Sequence, residues 1–294
     1  MSELELISEV INQGKSEFPV TLYHYTTART LPLLLDGKDG LVCTHYALLN
    51  DTEEVLLGLR ISVQFLAQAF NIPNGIVADL RKKCENFVCS GHVQVPWIMS
   101  FSAKFDSLYQ WIGYTDDGGY SIGFDTQMLR GEILERQKSQ ILSLTSIDLL
   151  PCLYVGRDNA TILSILKRLF TQDDAEIKQL QTGKRVTPET LTPIMLKILP
   201  LASLIKHWSF EQEKECRLIL IPWVESATDC EVIGGKLRWP LGIRGGDLRK
   251  MISSIMVSPQ GNKRSLLLTA RMLTVKYKMN ECKIEESESP YNGA

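Results

Sequence analysis

Histidine is scarce in this chain, with four copies in 294 residues, and none stands in an HxxxH or HExxH spacing. That lack speaks against a helix-borne zinc hydrolase. No stretch approaches the roughly 20 apolar residues of a membrane span. There is no glycine-rich phosphate loop and no GxGxxG ahead of a helix, so nucleotide binding of the P-loop or dinucleotide-fold kind is not indicated. Basic excess is missing as well: 32 Lys and Arg meet 34 Asp and Glu, a net charge of −2. No overall positive field exists to hold duplex nucleic acid by counterion release, which leaves only a local patch. Linkers rich in Pro, Gly or Ser, low-complexity tracts and repeats are all absent. The cysteines (43, 84, 89, 152, 216, 230 and 282) are odd in number and scattered through apolar strings, the pattern of reduced core thiols and not of a disulfide framework. The opening MSELEL places acids ahead of any apolar run, the reverse of a signal peptide, so a soluble, cytoplasmic protein is expected.

What is present is an ordinary globular composition, 44% hydrophobic and 22% charged, large enough to bury a core without metal or disulfide. Apolar periodicity predicts helices over 3–12, 27–35, 50–70 and from 75 to about 87, with Asp51 and Glu54 at capping-box spacing. Strands are predicted at 20–25, 40–44, 97–102, 120–124, 149–155, 216–221, 252–257 and 282–285, with a helical turn over 107–114 and a helix over 263–273. A helical stretch over 159–205, broken near Gly183 and closed by Pro200, interrupts this mixture. The expectation is an α+β fold, one domain over 1–294 with a helical insertion at 159–205.

Four polar clusters stand beside apolar strand cores: residues 22–26, 100–102, 109–114 and 213–217. In the first, Leu22, His24 and Thr26 share one face and Tyr23 and Tyr25 the other. His24 then either lines a cleft or is a hydrogen-bonded core ring. Ser100 and Ser102 share a face that can orient a carboxylate or hold a ribose, or simply meet solvent at a sheet edge. Glu213 and Glu215, two apart, place carboxylates side by side, where like charge and partial burial raise one pKa into acid/base range. The plainer reading is a solvated turn. Trp111 serves equally as core or as a stacking platform.

Taken in order, the passages LYHYTT (22–27), LLND-TEE (48–54), SFS (100–102), DSLYQWIGYTDDGGYSIGFD (106–125), IKHWSFEQEKECRLIL (205–220) and ESESPYN (286–292) resemble the DUF2971 family, a bacterial and phage-associated group of unknown function. That family in turn resembles a distant branch of the ADP-ribosyltransferase fold, with a split mixed and antiparallel β core. The resemblance implies a mono-ADP-ribosyltransferase that consumes NAD as substrate, acting as a toxin or phage-defence effector, without a metal. Its partners would be NAD, a protein or nucleic-acid acceptor, and a neutralising or defence-system protein. By the same resemblance Glu215 is the catalytic carboxylate beside the ribose, with Glu213 positioning or deprotonating the acceptor. Ser100 or Ser102 would hold Glu215, His24 would anchor the second ribose, and Tyr25, Trp111 or Tyr114 would stack on nicotinamide. Ile112 and Thr115 stand where the family more often carries Arg and Gly, so a phosphate would fall to Arg217 or Arg244. The chemistry is coherent, because cleaving the nicotinamide–ribose bond leaves an oxocarbenium-like ribose that a fixed carboxylate stabilises.

Two other readings compete. One is a non-catalytic sensor binding a nucleotide or a protein in the same cleft, with local positive charge from 242–246 and from Lys263 and Arg264. The other is a metal-dependent hydrolase using His24, His45, Asp51 and Glu54, or a zinc at Cys84, Cys89 and His92, although that second set lacks a fourth ligand.

Overall fold

The strand that organises the molecule is its eighth, Glu215–Pro222, eight residues buried along their whole length. Its alternation sends Cys216, Leu218 and Leu220 into one apolar cluster and Ile219 and Ile221 into another. A strand apolar on both faces demands cover on both faces, and helices supply it. The computed structural model describes residues 1–13, 18–38, 40–49, 52–89, 95–115, 117–138, 144–222, 229–233 and 235–290.

In chain order the strands are β1 (Thr21–Thr27), β2 (Val42–His45), β3 (Trp97–Ser102), β4 (Gly119–Asp125), β5 (Leu144–Pro151), β6 (Leu153–Tyr154), β7 (Ile205–Lys206), β8 (Glu215–Pro222), β9 (Glu231–Ile233), β10 (Lys236–Pro240), β11 (Ile252–Val257) and β12 (Lys283–Glu286). The helices are α1 (Glu3–Gln13), α2 (Thr30–Asp36), α3 (Thr52–Phe70), α4 (Asn74–Cys89), α5 (Leu108–Tyr114), α6 (Thr126–Lys138), α7 (Asn159–Leu169), α8 (Ala175–Gln181), α9 (Pro188–Ala202), α10 (Gly245–Met251) and α11 (Lys263–Lys276). The fold class is α+β, as the sequence predicts.

Ten strands form one mixed sheet along the path β12-β11-β4-β1-β3-β2-β10-β9, with β8 on β3 and β5 on β8. Its pairs are antiparallel except β11 with β12. Strand β3 gives one edge to β8 over its whole length, from Trp97↔Leu220 to Ser102↔Glu215. Its other edge is divided, with β1 joined at Ser102 and β2 at Ile98 and Trp97. The sheet therefore splits at β3. One face carries residues of α1, α3, α4 and α7–α9 in its core, and the other carries those of α2, α6, α10 and α11.

Two glycines set geometry. Gly37 ends α2 in the left-handed conformation at φ 82°, where a side chain would be strained. Gly58 in α3 lies so close to α9 that a Cβ there would sit 2.0 Å from the Ala202 carbonyl oxygen. That approach draws the second turn of α3 onto the end of α9.

Helix α6, strands β9 and β10 and helix α10 have no counterpart in the sequence reading. Helix α6 buries only Thr126, Leu129 and Ile133, too few apolar residues for a period to show. Pro200 does not close the helical stretch but lies inside α9. Burial of Leu199, Leu201 and Ala202 around it outweighs the lost N–H. The expected cap at Asp51, the stop at Gly14, and His92 lie outside the described residues. Among the described residues no helix is long and apolar enough to cross a membrane.

Candidate functional site

The register of β3, β1 and β8 decides which polar side chains share a face. Ser102 faces Tyr23 on β1 and Glu215 on β8, while Ser100 faces Arg217. Directly opposed residues of an antiparallel pair lie on the same side of the sheet. Ser100, Ser102, Glu215, Arg217, Tyr23 and Tyr25 therefore share one face. Helix α5 covers the Tyr25 end, where Trp111 packs edge-on against Tyr25 at a centroid distance of 4.7 Å. Tyr23, Tyr114 and Met256 complete this small aromatic cluster.

Between that cluster and the helical core lies a knot of buried charge. Lys206, on β7, is 1% exposed and touches three carboxylates: Glu54 at 2.9 Å, Glu213 at 2.8 Å and Glu215 at 2.5 Å. Arg217 spans the same group, with Nε on Glu215 at 2.7 Å and Nη2 on Glu54 at 2.5 Å. Its Nη1 donates to the Ser203 carbonyl at 2.6 Å. The Glu215 backbone N–H donates to the Tyr154 hydroxyl. Glu54 reaches the knot because α3 approaches α9 at Gly58, one helical turn further on. A buried ion pair is worth having only when its remaining hydrogen bonds are met, and here they are.

Three carboxylates against two cations leave one negative charge in excess. The knot does not divide it evenly. Burial pushes the Glu215 carboxyl up, but Arg217 and Lys206 together overcome that and bring it down to about 2. Burial likewise opposes the charge on Lys206, yet Glu215 and Glu54 hold its ammonium above the ordinary lysine range. Glu213 goes the other way: burial raises its carboxyl, Lys206 only partly offsets this, and Glu215 and Glu54 add to the rise. Against 3% for Glu215 and 12% for Glu54, Glu213 is 13% exposed. Its position comes from the turn before β8. Residues Trp208–Glu213 form a 3-10 helix, and Lys214 comes next in the left-handed conformation at φ 45°. Ser102 braces that turn, its hydroxyl donating to the Glu213 carbonyl at 2.6 Å.

The residues singled out from sequence divide accordingly. Glu213, Glu215, Ser100, Ser102, Tyr25, Trp111 and Tyr114 come to one side of the sheet. His24 does not join them. It faces Ile122 across β1 and β4, packs on Phe101, and lies on the opposite side; its Nδ1 meets the Ser100 carbonyl through the sheet edge, not the Ser100 hydroxyl. Burial lowers its pKa, which favours the neutral ring. Ser102 holds the backbone of Glu213 and not the Glu215 carboxylate. Arg217 is buried and spent on Glu54, Glu215 and Ser203, and does not serve a phosphate.

Among the three aromatic candidates, Trp111 is fully buried and its N–H donates to Asp106 at 2.6 Å. Tyr25 is buried, with its hydroxyl donating to the Lys104 carbonyl and accepting from the Ser107 N–H. Tyr114 alone of the three stays half-exposed. Burial and then the charges of Glu215 and Glu213 raise its hydroxyl.

Sequence pattern does not single out Lys206 or Tyr154, and it points to Glu54 only as a cap or a metal ligand. Lys206 offers one signal, a lysine in a two-residue strand beside apolar Leu204 and Ile205. Among the described residues no group of three His, Cys, Asp or Glu is placed to hold a metal, and Glu54 is committed to Lys206 and Arg217. Cys43, Cys84, Cys152 and Cys216 are buried. Two open surface grooves, one lined by Arg60, Asn74 and Arg81 and one by Arg249, Lys250 and Tyr277, lie elsewhere.

Residues 110–218 match the model of DUF2971, a family described as a protein of unknown function. The chain carries that family's pattern over this stretch, as the sequence passages imply, and the stretch holds Trp111, Tyr114, Lys206, Glu213, Glu215 and Arg217. No curated protein and no solved structure matches the chain.

Proposed function

We propose that this chain cleaves the nicotinamide–ribose bond of NAD and transfers ADP-ribose to a nucleophile, with Glu213, not Glu215, as the carboxylate at the reacting centre. The observation that carries the reading is the odd carboxylate: three carboxylates meet two cations, and Glu213 is the one whose carboxyl is raised, on a turn that packs near the helix carrying the half-buried Tyr114. Such an arrangement suits a cationic ring stacked on an aromatic and an oxocarbenium-like ribose formed as that ring leaves. Glu215, Arg217 and Lys206 form the rigid base that holds Glu213.

In the transfer step the C1′–N bond breaks and nicotinamide departs with its electron pair. The acceptor oxygen or nitrogen, or water, bonds to C1′, and its proton passes to Glu213. A carboxyl raised toward neutrality is matched to that task. Tyr114 offers its ring to nicotinamide. Lys104, hydrogen-bonded to Gln212, would serve the diphosphate in place of Arg217.

Nicotinamide release from NAD, measured with and without cell lysate, tests this. Glu213→Gln keeps volume and hydrogen bonding and is expected to lower release roughly 10²- to 10⁴-fold, the usual weight of a general base. Label on a macromolecule would identify the acceptor, and release without label would make water the acceptor. A Glu213→Gln protein as active as the wild type would refute the assignment. A second reading, a binding module without catalysis, draws on the exposed Trp208, Phe210, Phe105, Tyr109 and Ile112 around the same region. A folded wild type that never releases nicotinamide would favour it.

A further inference from the structure

Asp106, in the connection from β3 to α5, accepts three hydrogen bonds from two distant parts of the chain. Its Oδ1 takes the Trp111 indole N–H at 2.6 Å and the Ser287 hydroxyl at 2.7 Å, and its Oδ2 takes the Glu288 backbone N–H at 2.9 Å. Ser287 is 8% exposed and wholly engaged. Its N–H donates to the Val257 carbonyl, its hydroxyl donates to Asp106, and its oxygen accepts from the Ser289 N–H. The strand before it, β12, is a four-residue edge strand, mostly exposed and, among the described residues, paired with β11 alone. So short an edge strand has little hold of its own. The segment beyond β12 is nevertheless tied more firmly, and the tie runs to the aromatic wall of the candidate site. The same connection carries the other anchors of that wall, because the Tyr25 hydroxyl bridges the Lys104 carbonyl and the Ser107 N–H.

We infer that the segment Ser287–Glu288 is a working part of the site and that Asp106 is the positioning residue that makes it so. The carboxylate clasps the C-terminal segment to Trp111 and thereby fixes α5, the helix that ends at Tyr114. The clasp itself stands on geometry; its consequence for NAD binding rests on the function proposed above. On that reading the clasp governs how well Tyr114 is presented to the leaving ring and leaves the chemistry at Glu213 untouched.

Hydrogen exchange of the full-length protein, read on peptides covering residues 108–114, tests the clasp without any substrate. A hydrogen bond to a charged acceptor is worth on the order of ten- to a hundredfold in local opening. Asp106→Asn and Ser287→Ala should speed exchange of 108–114 by about that factor, with α9 unchanged, while Ser287→Thr, which restores the hydroxyl, stays near wild type. Unchanged exchange at 108–114 in Asp106→Asn, or equal acceleration in α9, would overturn the clasp. In the turnover assay Ser287→Ala should raise KM for NAD about tenfold with kcat within about twofold, as expected for lost ground-state positioning. A fall in kcat at constant KM would contradict the positioning role. If the wild type releases no nicotinamide, the proposed function falls and the exchange result alone decides the clasp.

Discussion

The two faces of β8 place different demands on one strand. On one side Cys216, Leu218 and Leu220 enter an apolar core, where area and shape are all that matter. On the other, Glu215 and Arg217 sit just as deeply, and each must find partners of opposite charge. The apolar side is stabilised in proportion to surface removed from water, about 25 cal/mol per Å². The charged side gains little net energy, since desolvation offsets much of the attraction. What it secures is an arrangement: removing one partner strands the others.

This difference is breakable by mutation. Arg217→Met leaves Glu54 and Glu215 with Lys206 alone and should cost about 3–5 kcal/mol in urea unfolding. Leu218→Ala, on the other face, should cost about 2–4 kcal/mol by cavity formation. A cost for Arg217→Met below about 1 kcal/mol would show that the knot is open to water. Gly58→Ala acts at one remove, forcing α3 away from Ala202. It should cost about 1–3 kcal/mol and also lower turnover, because Glu54 is carried off with the helix. Loss of stability with unchanged turnover would detach Glu54 from the site.

The smallest effect is in pH. Glu215, held down to about 2, contributes stability present above its unfolded value near 4.5 and lost as pH falls toward 2. Glu213 is raised, so its contribution is present at low pH and is lost as pH rises through its folded value. Glu213→Gln should therefore gain stability relative to wild type as pH rises from about 4 to 7. A gap that narrows over that range would reverse the assignment of the excess charge.

Much of the scaffold was legible because it is periodic. Strands β3 and β11 fall where alternation places them, and α1, α3 and α11 track their apolar stripes. The serine, glutamate and tyrosine candidates were legible too, as polar residues beside apolar strands. Their division was not. The opposition of His24 to Glu215 depends on which face of β1 meets which face of β8, and these two strands touch only through β3. Lys206 was hidden for a related reason: its carboxylate partners at 54, 213 and 215 come from three separate elements. Local pattern cannot announce a meeting of that kind.

Lys214 occupies a backbone conformation that glycine or asparagine would adopt more readily. This single residue stands between Glu213 and Glu215, whose carboxylates both meet the Lys206 ammonium. A lysine there also reaches back to Glu211 at 2.9 Å, and Arg157 meets the same carboxylate oxygen. The kink is thus held from outside by ordinary surface charges. Its misfit resembles a spring clip, with the tension in one residue and the grip two residues wide.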